Sequence, residues 1–199
     1  MIRILAVLAF AVSAASAESF EAMHASAALP TPTPIKFARA QTNGRIAGGL
    51  RGEPFEINID RRAGRISGAL ELRTFALEAR GDGDSFTGGA FGQGLDAKFT
   101  TEQDGSFTVE GHVRGWGFKY NVSDADHKAK GSLGGRDFEI SYDLEAGTAK
   151  GGAGGWPFEL NVDKVTGKTT GAIDGQTAGF TLQNADLGWV LLHLFLFVK

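Results

Sequence analysis

Seven glycines recur at a nearly constant interval: Gly48, Gly68, Gly88, Gly111, Gly131, Gly151 and Gly171, separated by 20, 20, 23, 20, 20 and 20 residues. Seven residues after six of them stands a large apolar side chain, Phe55, Phe75, Leu95, Phe118, Phe138 or Phe158; after Gly171 the gap to Phe180 is nine. A period this short means one small supersecondary unit copied in tandem.

Alternation identifies the unit. In Phe55-Ile57-Ile59, Phe118-Tyr120-Val122, Phe138-Ile140-Tyr142 and Phe158-Leu160-Val162 the apolar residues occupy every second position, with polar residues between them. These are strands with one apolar face. Between them run strands of the form apolar-x-Gly-x-apolar, such as Ile66-Gly68-Leu70 and Thr169-Gly171-Ile173. No helical stripe of useful length interrupts the repeat. Counting a weaker first unit (Phe37, Asn43-Gly44, Ile46-Gly48-Leu50), the chain predicts an all-β antiparallel meander of about 14–16 short strands built from ~20-residue hairpins. A sheet this long must hide its apolar face, so a closed or flattened up-and-down barrel is expected, with a two-layer β-sandwich as the alternative.

The connections carry two signals. Asp60…Gly64, Asp143…Gly147 and Asp163…Gly167 share an Asp-x-x-x-Gly spacing, which reads as a turn closed by a left-handed glycine. The three extra residues of the 23-residue interval fall in this kind of connection, at Glu102-Gln103-Asp104-Gly105. At the other end, parity allows Leu72 to pair with Phe75 around Arg73-Thr74. That places Gly68 opposite Ala79, Gly111 opposite Val122, Gly131 opposite Tyr142 and Gly151 opposite Val162, although Pro54 and Pro157 then sit awkwardly in tight loops.

Three segments frame the domain. Residues 1–17 read as a signal peptide, with Arg3 before the apolar run Ile4–Val12 and the small residues Ala15-Ser16-Ala17 at the cleavage site. Residues 18–34 form an Ala/Pro-rich linker, and residues 35–199 a single β-repeat domain. The segment Leu187–Val198 is apolar on both faces; as a terminal strand it must be buried, plug the apolar side of the sheet, or meet lipid.

Composition narrows the chemistry. The chain has no cysteine, which rules out disulfides and thiol nucleophiles and fits export into a bacterial envelope. A net charge of −3 gives no footprint for nucleic acid. Its histidines, His24, His112, His127 and His193, form no ligand-spaced pair, so no metal or cofactor is expected. Asp124-Ala125-Asp126-His127 is the tightest polar cluster and reads as a solvated turn. The strand carboxylates Glu56, Asp60, Glu139, Asp143, Glu159 and Asp163 recur in register, whereas a catalytic pair is singular; cross-strand charge pairing accounts for them. Asn58, Asn121 and Asn161 recur likewise on the wet face.

Trp116 and Trp156, each two residues before a repeat Phe, are the candidate binding residues, since aromatics in rim turns stack on glycans or enter an interface. No catalytic residue stands out. The expected function is therefore that of an exported, non-enzymatic β-repeat protein of the periplasm or cell surface. It would bind an apolar small molecule in the interior, or a glycan or other partner at the rim. The alternative is an integral outer-membrane barrel with its apolar face turned to lipid, membrane association running through the C-terminal strand. An enzyme of unknown type is the third class.

Overall fold

The computed structural model describes residues 43–70, 72–81, 83–153 and 155–197. The expected signal peptide, the expected linker and Phe37 lie outside these residues. Fourteen strands are present: β1 (Gly44–Leu50), β2 (Glu53–Asp60), β3 (Arg65–Leu70), β4 (Arg73–Arg80), β5 (Ser85–Ala90), β6 (Gln93–Thr101) and β7 (Phe107–Val113), then β8 (Trp116–Ser123), β9 (Lys128–Leu133), β10 (Arg136–Asp143), β11 (Thr148–Ala153), β12 (Trp156–Val162), β13 (Lys168–Ile173) and β14 (Gln176–Gln183). Each pairs antiparallel with its sequence neighbours, and β1 pairs with β14 from Arg45↔Gln183 to Leu50↔Ala178. The sheet is thus a closed meander, a barrel and not a two-layer sandwich, and closure leaves no open edge.

The apolar face points inward. Phe55, Ile57, Ile59, Leu77, Phe86, Tyr120, Ile140, Leu160 and Phe180 are buried in one continuous core. The outer face carries Glu56, Lys119, Glu139 and Glu159. Of the strand carboxylates expected to pair across strands, Glu56 pairs with Arg45 and Glu139 with Lys128, while Asp60, Asp143 and Asp163 accept from backbone N–H groups of their own turns; Lys119 also pairs with Glu110 across β8 and β7. An apolar surface turned to lipid would require the opposite arrangement of faces.

The repeat glycines let neighbouring backbones pass where a side chain would stand. A Cβ on Gly68 would lie 1.9 Å from the Glu56 carbonyl oxygen, and one on Gly171, whose φ is +148°, would lie 1.9 Å from that of Glu159. No side chain fits such a gap, and the bend it permits gives a long sheet the curvature needed to close.

The register of the hairpins corrects one expectation. Gly68 faces Phe75 and not Ala79; Gly111 faces Phe118, Gly131 faces Phe138 and Gly151 faces Phe158. On its other side Gly68 faces Ile57. The turns lie two residues earlier than parity suggested, at pairs such as Arg51-Gly52, Phe91-Gly92, Arg114-Gly115 and Asp174-Gly175, with φ near +60° and then +70 to +85°. These are two-residue type I′ turns, whose twist matches that of the strands. Pro54 and Pro157 therefore sit inside β2 and β12, opposite Gly49 and Gly152. The slip is four residues, an even number, so every side chain keeps its expected face.

At the other end the Asp-x-x-x-Gly reading holds. Asp60 accepts from the backbone N–H groups of Arg62 and Ala63, at 3.1 and 2.9 Å, and Asp163 from those of Val165 and Thr166. Gly64, Gly147 and Gly167 close their turns with φ near +70°. Each then accepts at its carbonyl from a strand of the next hairpin: Ala79, Val162 and Leu182 respectively. The three-residue insertion lies between β6 and β7, as expected.

The C-terminal segment is not a strand. It forms two short helices, α1 (Leu187–Leu192) and α2 (Leu194–Phe197), and every residue from Leu187 to Phe197 is buried inside the barrel. The reason is geometric. About eight strands give a bore that wall side chains alone can fill, and fourteen leave a wider space. Within a closed wall a further strand has no edge to pair with, whereas a helix satisfies its own N–H and C=O groups.

Candidate functional site

The two ends of the barrel differ, and the difference locates the site. At the end carrying the type I′ turns the barrel is sealed. The Arg51 guanidinium donates to the carbonyl of Phe197 at 2.9 Å and pairs with Asp174 at 3.4 Å, tying the end of α2 to the β1–β2 and β13–β14 turns. Trp116 and Trp156 are here, as the first residues of β8 and β12 and not within the turns. They remain about half exposed. Each lies over the turn of the next hairpin: a Cβ on Gly134 would come within 2.6 Å of the Trp116 ring, and one on Gly175 within 3.3 Å of the Trp156 ring. The gap between Leu133, Phe138, Phe158 and Leu194 amounts to about 10 Å³.

The opposite end is a mouth. There the chain leaves β14, passes Asn184 and Ala185, and turns into the barrel at Asp186. The Asp186 carboxylate accepts from the Trp189 N–H at 2.8 Å and starts α1. Between this entry and the long turns lies a cavity of about 450 Å³. Leu144, Val162, Leu182, Ala185 and Leu187 supply its apolar surface, and Lys164, Thr166, Asn184 and Asp186 its polar lip. Val165, at the tip of the β12–β13 turn, is 96% exposed beside it. The volume lies in the range of pockets that take small molecules. A larger trough of about 970 Å³ runs outside β4–β7 past Glu78, Arg80, Asp96 and His112, but it is a charged groove open to water.

Beyond the mouth, the interior is filled. Phe195 stacks on Phe118 at 4.8 Å, and Phe197 packs against Phe55 and Phe180. The Tyr120 hydroxyl donates to the Leu192 carbonyl at 2.8 Å. His193 stacks on Trp189 at 4.0 Å and contacts Phe86 and Phe99. Its Nδ1 lies 2.8 Å from the Trp189 carbonyl, so Nδ1 carries the proton and Nε2 is a lone-pair nitrogen with no partner. Burial holds its pKa down to about 3, and the ring is neutral. Leu187, Trp189, Val190, Leu191, Leu192, Leu194, Phe195, Leu196 and Phe197 are all 0–5% exposed. Burying them is worth on the order of 15 kcal/mol in transfer free energy, comparable to the whole net stability of a domain. A small apolar molecule does not displace such a segment, so among the described residues room for one is left at the mouth.

The remaining polar features are structural. Asp124 accepts from the Tyr142 hydroxyl at 2.7 Å, and Asp126 from Ser123. Burial, followed by the neighbouring carboxylate of Asp124, pushes the Tyr142 hydroxyl well above its usual range. Asn58 donates to Glu56 and Asn121 to Ser106, so the recurring asparagines form no common ladder.

The structure places Trp116 and Trp156 at one rim, as expected, but at the end opposite this cavity. The cavity residues carry no sequence signal of their own because six of them are ordinary aliphatics. The signal that could have found them is the break in the repeat after Gln183, where the chain must change direction over the open end. The chain matches no protein-family model, no curated protein and no solved structure.

Proposed function

We propose that the protein is an exported, non-enzymatic binding protein of the bacterial envelope that holds an apolar small molecule at the open mouth of its barrel. The observation that carries this reading is the 450 Å³ cavity with an aliphatic floor, at the end where, among the described residues, the filled interior comes near solvent. Apolar surface held half-open is costly in water unless something covers it. The polar outer wall suits a barrel surrounded by water, and the N-terminal pattern suits export.

The test is titration of the full chain with the dye N-phenyl-1-naphthylamine, whose emission rises in apolar surroundings. Saturable binding is expected at one site per chain. Ala185→Trp, which fills the cavity, should abolish it, and so should Thr166→Trp on the exposed lip. Binding unchanged in these two folded variants, or absent from the parent chain, overturns the reading.

A further inference from the structure

We infer that the ligand of the mouth cavity carries an acid group at one end of its apolar body, and that Lys164 receives it. The inference rests on the reading of the cavity as a binding site and names the chemical class it would take: a single-chain carboxylate.

Among the described residues Lys164 is the one cation lining the cavity. Its stem crosses the neighbouring turn, where a Cβ on Gly147 would be 3.5 Å from Lys164 Cγ, and its ammonium donates to the Glu145 carbonyl at 2.8 Å. That bond fixes the head group at the cavity lip and uses one of three N–H donors. The other polar lining groups already have partners. The Asn184 amide donates to the Asn43 carbonyl, the Thr166 hydroxyl accepts from the Lys168 N–H, and the Asp186 carboxylate accepts from Trp189 at the start of α1. Arg61 adds positive charge nearby, its guanidinium 2.7 Å from the Asn184 carbonyl. Asp186 stands on the α1 side of the lip and Lys164 on the β12–β13 side. The Asp163 carboxylate beside Lys164 is turned into its own loop, where it accepts from the Val165 and Thr166 N–H groups, so a ligand anion on this side meets the Lys164 ammonium.

Charge also decides between the two ends of such a ligand. An ammonium beside an aliphatic wall is less screened than one in open water and gains more from a carboxylate than from a neutral ester. A charge-assisted hydrogen bond at a partly exposed site is worth about tenfold in affinity.

The experiment compares dodecanoate with methyl dodecanoate, each competing against the naphthylamine dye on the full chain below its micelle concentration. The acid should bind about tenfold tighter than the ester. Lys164→Gln should bring the acid down to the affinity of the ester and leave the ester unchanged, while Lys164→Arg keeps the preference. Equal binding of acid and ester by the parent chain, or a preference that survives Lys164→Gln, overturns the assignment while the cavity reading stands. Failure of both compounds to compete overturns the two together.

Discussion

The sealed end and the mouth of this barrel are built from the same fourteen strands, yet they solve different problems. At the sealed end five two-residue turns among the described residues hold the hairpins tight, two tryptophans lie over neighbouring turns, and Arg51 fastens the last helix. At the mouth the connections are longer; those at Asp60, Asp143 and Asp163 are pinned by the aspartate and a left-handed glycine, at β8–β9 His127 takes the positive φ instead, and the chain must bridge these turns to enter its own interior. Short turns leave no space to line. Long turns leave aliphatic residues such as Val162 and Leu182 standing around an entry, and the departure from the repeat at residues 184–187 supplies the rest of the cavity wall.

The comparison can be broken first by acid, which attacks the interior that joins the two ends. The unfolded chain protonates His193 near 6.5, whereas the folded chain holds it neutral down to about 3. Its contribution is complete above pH 6.5 and declines as pH falls toward 3, by at most about 5 kcal/mol. The paired carboxylates Glu56 and Glu139 have lowered pKa values and lose their contribution only below the ordinary glutamate range. Urea unfolding followed by far-ultraviolet circular dichroism should therefore show a loss of stability between pH 6.5 and 5 that is absent in His193→Phe. A flat profile for the parent chain over that interval would mean that the ring is not enclosed as described.

The next test targets the sealed end. Arg51→Ala removes the bond to Phe197 and leaves the nearly buried Asp174 with only Arg136, 3.9 Å away. The expected loss is about 2–3 kcal/mol in chemical denaturation, with faster amide exchange in α2 than in α1. Equal exchange in the two helices would show that Arg51 does not secure the tail. At the mouth the corresponding change is smaller. Asp60→Ala removes two backbone hydrogen bonds from one exposed turn, for about 1 kcal/mol and no change in the protection of either helix. If it cost as much as Arg51→Ala, the contrast between the ends would fail.

How far the sequence could be read follows the same division. The mouth turns were legible because Asp-x-x-x-Gly names its own hydrogen bonds. The sealed turns were misplaced by two residues because the arginine, phenylalanine or aspartate before the second glycine does not announce a positive φ, whereas Arg73-Thr74 looked permissible by parity alone. The slip cost nothing in the assignment of faces, since pairing periodicity is two. The candidate site was missed for a different reason. Leu144, Leu182 and Ala185 are distant in sequence and chemically plain, and only closure of the sheet sets them around one opening.

By itself, the sequence determined the wall: the hairpin period, the alternation that puts Phe75 and Phe138 on one side with Gly68 and Gly131, and the loop that absorbs the three extra residues. These are local consequences of a two-residue repeat. The tertiary structure alone decided that β1 would meet β14 and that residues 187–197 would be helical. An apolar run of that length suits a strand wherever an edge is available. Once the wall closes no edge remains, the bore is too wide for side chains to fill, and helices that satisfy their own backbone occupy the space.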